Sequence, residues 1–127
     1  MKNQKKILII DDEKDVVAYL SAFFADNGFL VISASNGMEG IQKAITEKPD
    51  IITLDISMPK ESGVKALRQL QNDNLTKDIP VIIITGLASD FKRFIGSRKQ
   101  VKMPEGYFEK PVDRNLLLVK VKELLRI

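Results

Sequence analysis

Three aspartates, a threonine and a lysine carry the chemistry this sequence offers. Asp11 and Asp12 follow the apolar run Ile7-Leu8-Ile9-Ile10, and Asp55 follows Ile51-Ile52-Thr53-Leu54. Thr85 closes Val81-Ile82-Ile83-Ile84, and Lys110 follows Tyr107-Phe108-Glu109. A short apolar run that stops at a polar residue and a turn signal reads as a buried strand with a polar tip. Close carboxylates raise one another's pKa, so a group of three calls for cations beside it. One ammonium balances one charge. The remainder suits a hard divalent ion held by oxygen ligands, and Mg2+ fits because it keeps waters and accepts few carboxylates. Beside such an ion an aspartate is able to attack a phosphoryl group and form an aspartyl phosphate. A hydroxyl and an ammonium would then hold the phosphoryl oxygens.

These residues meet only if the intervening elements bring every strand tip to one rim. From Asp15 the residues Val16, Val17, Leu20, Phe23 and Phe24 recur at helical spacing, and Asn27-Gly28 stops the helix. Phe29 to Ala34 reads as a second strand, with only Ser33 to Ser35 at its tip. Asn36-Gly37 opens a helix carrying Ile41, Ala44 and Ile45, which Pro49 closes. Ser62-Gly63 leads a helix with Val64, Leu67 and Leu70, and residues 87–103 read as a helix through Phe91, Phe94 and Ile95 before a basic stretch. From Asp113 a last helix offers Leu116, Leu117, Val119, Val121 and Leu124 to the core. Five strands alternating with five helices predict an α/β, doubly wound (βα)5 fold with a parallel sheet. In the flavodoxin-like order 2-1-3-4-5, strands one and three are neighbours at the switch point. Asp11, Asp12 and Asp55 then share one crevice, with Thr85 and Lys110 beside them.

Composition works by exclusion. The 127 residues suit a single domain spanning 1–127. Without cysteine there is no disulfide or thiolate metal site, and without histidine no imidazole base, ligand or phosphohistidine of the chain's own. The basic residues before Ile7 lead into an apolar run that ends at two aspartates, which is no signal peptide, and no apolar run is long enough to span a bilayer. A cytoplasmic protein is expected. A net charge of +3 is too small to point to nucleic acid. The run Lys92, Arg93, Arg98, Lys99 and Lys102 reads first as a solvated helix face. Direct nucleic-acid binding is disfavoured, since no recognition helix or aromatic interleaving accompanies that charge.

Each polar tip also has a plain explanation. Asp11 and Asp12 suit the start of a helix, Asp55 suits a turn before Pro59, Thr85 an ordinary strand end, and Lys110 a solvated turn. No such explanation accounts for all four together. Taken in series, Asp11-Asp12, Leu54-Asp55-Ile56-Ser57-Met58-Pro59, Thr85-Gly86 and Lys110-Pro111 resemble the receiver domains of two-component response regulators, over the whole chain and in order.

That resemblance implies a phosphorylation-dependent switch and not an enzyme, one that assists its own phosphorylation and dephosphorylation. Asp55 would accept a phosphoryl group from a histidine kinase or a histidine phosphotransfer protein. Asp12 and Asp55 would ligate Mg2+ directly, the backbone carbonyl of Ser57 would be a third ligand, and Asp11 would act mostly through water. Thr85 and Lys110 would touch the phosphoryl group, and the Lys110-Pro111 peptide is expected to be cis. Tyr107 falls where the family's switch aromatic lies and would turn inward as Thr85 moves. The output would be docking to a downstream protein, with a phosphorylation-dependent homodimer left open. Leu87 offers nothing to orient attacking water, which implies a long-lived phosphoryl state. Met103-Pro104-Glu105-Gly106 replaces the family's usual approach to the fifth strand, which leaves the signalling face open to remodelling.

Three rivals stand beside this reading. A haloacid-dehalogenase-like phosphatase also forms an aspartyl phosphate, but it wants a second acid where this chain has Ser57. A flavodoxin-type flavin module wants a phosphate loop where Asp11 and Asp12 would repel the phosphate. The third is a receiver cut from a larger hybrid kinase or regulator. Against it stand the ordinary N-terminus and a last predicted helix that runs to the final residue, which leaves no room for an output domain.

Overall fold

The computed structural model describes residues 4–58, 62–86 and 104–127. In chain order these form β1 (Lys6–Ile10), α1 (Lys14–Asp26), β2 (Leu30–Ala34), α2 (Gly37–Glu47) and β3 (Ile51–Asp55). There follow α3 (Ser62–Asn72), β4 (Val81–Thr85), β5 (Gly106–Glu109) and α4 (Arg114–Leu125). The five strands pair in parallel in the order β2-β1-β3-β4-β5, as the alternation of elements predicts. The helix expected within 87–103, the basic run Lys92 to Lys102 and the proposed role of Leu87 lie outside the described residues.

Strands β3 and β4 are buried along their whole length, which is why they read as continuous apolar runs. Successive side chains alternate between two layers. Leu8, Ile10, Ile52, Leu54 and Ile83 pack with Ala44, Ala66, Leu67 and Leu70 beneath α2 and α3. On the other face Ile7, Ile9, Ile51, Ile82 and Ile84 pack with Leu20, Phe24, Leu117 and Val121 beneath α1 and α4. Each such aliphatic side chain contributes roughly 1.5–3 kcal/mol by leaving water, so the strands are the principal source of stability.

The last helix differs from expectation in its facing. Asp113 caps it, its Oδ1 accepting the N–H groups of Asn115 at 3.0 Å and Leu116 at 3.2 Å. With that start, Leu117 and Val121 lie one turn apart on the inner face, whereas Leu116 is 59% and Val119 63% exposed. Leu124 sits at the layer's edge. Leu118 and Leu125 are partly buried against the same layer, so one stripe of α4 meets the core and the opposite side stays in solvent. Helix α2 is capped as its sequence indicates: Asn36 Oδ1 accepts from the Glu39 N–H at 2.9 Å, and Glu39 Oε1 accepts from the Ser35 N–H at 2.7 Å.

At the amino ends of the strands, polar groups close off locally. The Lys6 N–H donates to Asp50 Oδ2 at 2.8 Å, the Lys6 ammonium to the Glu47 carbonyl at 2.8 Å, and the Val81 N–H to Glu105 Oε1 at 2.9 Å. The carboxyl ends are arranged otherwise.

Candidate functional site

Ile10 of β1 lies in register beside Leu54 of β3, so Asp11 and Asp55 follow side by side at the same rim. The Asp11 N–H still donates to the Ala34 carbonyl of β2 at 3.0 Å, which fixes where its side chain emerges. Both side chains are buried, Asp11 at 3% and Asp55 at 2% exposure, while Asp12 is exposed. Carboxylate oxygens of Asp11, Asp12 and Asp55 all lie within 4.8 Å of one another.

Lys110 arrives from the end of β5. Its N–H donates to the Thr85 carbonyl at 2.8 Å, and the Lys110-Pro111 peptide that follows is cis, as the resemblance implies. The ammonium lies 3.1 Å from Asp11 Oδ2 and 3.2 Å from Asp55 Oδ2, and it also binds Glu13 Oε1. On its other side Asp55 Oδ1 accepts from the Ser57 N–H at 2.8 Å and from the Ser57 hydroxyl. Thr85 is fully buried at the tip of β4. Close packing holds the rim in place: a Cβ added to Gly63, in the first turn of α3, would come within 2.4 Å of the Asp55 carbonyl oxygen and 2.5 Å of the Ile56 Cα.

Tyr107 is half-buried against the layer beneath α2 and α3, and Phe108 packs against the opposite layer. The two rings therefore do not compete for one direction, because neighbouring strand residues point to opposite faces.

The electrostatics follow from burial and crowding. Burial pushes the Asp11 carboxyl up to about 6; the Asp55 charge adds to this, while the Glu13 N–H and the Lys110 ammonium act against it. For Lys110, burial alone would lower the ammonium's pKa. Glu13, Asp55 and Asp11 together outweigh it and hold the group above the ordinary lysine range. Lys110 is thus a fixed cation among carboxylates.

The donor set fits a divalent ion. An ion with oxygen ligands at about 2.0–2.1 Å spans opposite ligands roughly 4 Å apart, close to the spread of the three aspartates, which all lie within 4.8 Å of one another. The exposed side of Asp12 leaves room for the waters that Mg2+ retains. The chemistry and spacing of Asp11, Asp12 and Asp55 are therefore those of a hard-cation site.

Glu13 is the residue that sequence reasoning passed over. In a run of three acids before a helix it reads as a favourable helix-start charge. Its place beside Lys110, 97 residues away, emerges only once β5 is laid next to β4. The acid run itself was the available signal.

Comparison with known proteins agrees with this architecture. Residues 7–122 match the response regulator receiver domain family. The chain is 38% identical over 120 residues to protein PilH of Pseudomonas aeruginosa, covering 94% of this chain and 97% of PilH. It is 35% identical over 122 residues to the alkaline phosphatase synthesis transcriptional regulatory protein PhoP of Bacillus subtilis, where it spans 96% of this chain but 49% of PhoP. Among solved structures, a CheY-like receiver domain protein of Methanospirillum hungatei superposes with a TM-score of 0.83 at 27% identity, covering 98% of this chain and 95% of the other. The chemotaxis protein CheY4 of Vibrio cholerae gives 0.82 at 26% identity, with 94% and 98% covered. Among the described residues no helix is long and apolar enough to cross a membrane. By its matched length, its strand order and its relatives, this chain belongs to the receiver domains of two-component response regulators, a family of signalling switches.

Proposed function

We propose that Asp55 is the phosphoacceptor of this receiver and that its phosphorylation changes which protein the chain docks to. The observation that carries the reading is the meeting of Asp55 with Asp11, Asp12 and Lys110 at one rim. A carboxylate oxygen of Asp55 attacks phosphorus, the bond from phosphorus to the donor's imidazole nitrogen breaks, and that nitrogen leaves with the electron pair. The donor is a histidine kinase or a histidine phosphotransfer protein, since the chain has no histidine of its own.

Asp11, Asp12 and Asp55, with the Ser57 carbonyl, would hold Mg2+, which when bound supplies positive charge against the phosphoryl oxygens. Ser57 steadies one oxygen of Asp55 through its N–H and hydroxyl, leaving the other directed at Lys110. Lys110 neutralises the phosphoryl group by a charge-assisted hydrogen bond, and the Thr85 hydroxyl takes a further oxygen. Tyr107, packed beside β4, responds to the shift of Thr85, so the transition is one of population between two packings. The same groups assist the chain's own dephosphorylation. This reading treats residues 1–127 as one receiver unit working in the cytoplasm; the kinase and the downstream partner are other proteins.

The phosphatase alternative loses ground because Ser57 stands where that chemistry wants an acid, and because the family match spans residues 7–122. Incubation with phosphoramidate or acetyl phosphate, with and without Mg2+, tests the proposal by intact mass. One added phosphoryl group, dependent on Mg2+ and lost in Asp55→Asn, is expected. Labelling that persists in Asp55→Asn would overturn the assignment.

A further inference from the structure

Helix α1 begins with a residue that does not behave as its position suggests. Glu13 occupies the N-cap, where a short polar side chain would bond the first turn and contribute about 1 kcal/mol. Its side chain makes no capping bond. Instead it reaches Lys110, across 97 residues of sequence. Its backbone is pinned meanwhile: the Glu13 N–H donates to Asp11 Oδ1 at 2.9 Å, and its carbonyl accepts from the Val17 N–H at 3.1 Å. Only the side chain is placed to move.

A lysine ammonium has three donors. In this chain all three face carboxylates, from Asp11, Asp55 and Glu13. A phosphoryl group on Asp55 brings further oxygens to this ammonium, and these compete with the carboxylates already on it. The Asp11 and Asp55 side chains are 3% and 2% exposed, whereas Glu13 is 59% exposed. Breaking a buried pair leaves a charge out of water, while an exposed carboxylate returns to water at little cost. Space to leave is present, because Glu13 and Lys110 form one wall of an open cleft of about 580 Å3, lined also by Asp15, Tyr19, Leu20 and Val112.

We propose that Glu13 is a displaceable latch on Lys110: its carboxylate holds one donor of the ammonium while Asp55 is unmodified, and it competes with the phosphoryl oxygens for that ammonium. The latch rests on Asp55 being the acceptor. Glu13 is thus a positioning residue that sets how readily Lys110 is released, and it opposes occupancy of the site.

Beryllofluoride, an anionic stand-in for the phosphoryl group, tests this when titrated calorimetrically into the whole chain at saturating Mg2+. Glu13→Gln removes the charge. Glu13→Asp keeps the charge but is one methylene too short to reach Lys110. Both variants are expected to bind beryllofluoride more tightly, by roughly two- to fivefold, the size of an exposed ion pair. The gain should vanish in a Lys110→Ala background, which a general effect on helix α1 would not produce. Unchanged or weaker binding by both variants would overturn the latch. So would a gain confined to Glu13→Gln, since that would mark simple charge repulsion. If the wild-type chain takes up no beryllofluoride at all, the Asp55 assignment fails first and the latch falls with it.

Discussion

The two rims of the sheet use the same kinds of residue to opposite ends. At the amino rim Lys6, Glu47, Asp50 and Glu105 each satisfy a neighbouring backbone or ammonium group, so polar atoms are stitched in place. At the carboxyl rim Asp11, Glu13 and Asp55 crowd around the ammonium of Lys110, and Asp12 lies beside Asp11 and Asp55. The first arrangement is complete. Among the described residues the second has more negative charge than Lys110 can balance, so it gains from whatever positive charge arrives. A stabilising rim and a reactive rim are therefore told apart by whether their charges close locally.

The largest expected effect comes from the backbone that holds the reactive rim. A Cβ at position 63 would lie 2.4 Å from the Asp55 carbonyl oxygen, and neither strand nor helix can yield without moving Asp55. Gly63→Ala should cost about 3 kcal/mol by overpacking, read from the urea midpoint, and should slow labelling by phosphoramidate. An unchanged midpoint would show that the rim is softer than its packing implies.

Next in size is a substitution that sharpens the contrast. The Asp11 carboxyl, pushed up to about 6 by burial and the Asp55 charge, is a group whose ionised form the fold disfavours. The metal-free folded chain then binds more protons than the unfolded chain, so this group's contribution falls as pH rises from about 4 through about 6. Asp11→Asn removes the cost while keeping the acceptor for the Glu13 N–H. Without Mg2+ it should stabilise the chain by about 2 kcal/mol at neutral pH, and the gain should disappear near pH 4. Paired urea melts across pH check the sign. Mg2+ affinity in the wild type should fall below pH 6, by up to about tenfold per pH unit.

The amino rim should respond the other way and more weakly. Asp50→Ala strips the acceptor from the Lys6 N–H and should destabilise the chain by about 1 kcal/mol at neutral pH, with or without Mg2+. A gain in stability there would erase the distinction between the rims.

Much of this was legible in the sequence for a physical reason. Strands covered on both faces must be apolar throughout, so the place where Ile7 to Ile10 or Ile51 to Leu54 stops marks a tip, and Asp11 and Asp55 stand out against it. Right-handed crossovers then leave few ways to arrange the tips. Two features were harder to read. The apolar spacing of the last helix does not reveal which of its residues face the core, because Leu116 and Val119 are as apolar as Leu117 and Val121 yet are exposed. Glu13 was hidden because its partner belongs to the far end of the chain, and local sequence already explains an acid at a helix start.

The backbone hydrogen bond that ties the tip of β4 to the residue after β5 has a mechanical consequence. Thr85 gives its carbonyl to the Lys110 N–H at 2.8 Å, so on the proposed function the two groups that grip the phosphoryl oxygens are tied at the backbone. Among the described residues β5 has a ladder on one side only, whereas β1 and β3 are clamped from both. A tug on Lys110 is borne first by this edge strand and passes through that bond to β4, which β3 holds on its other side.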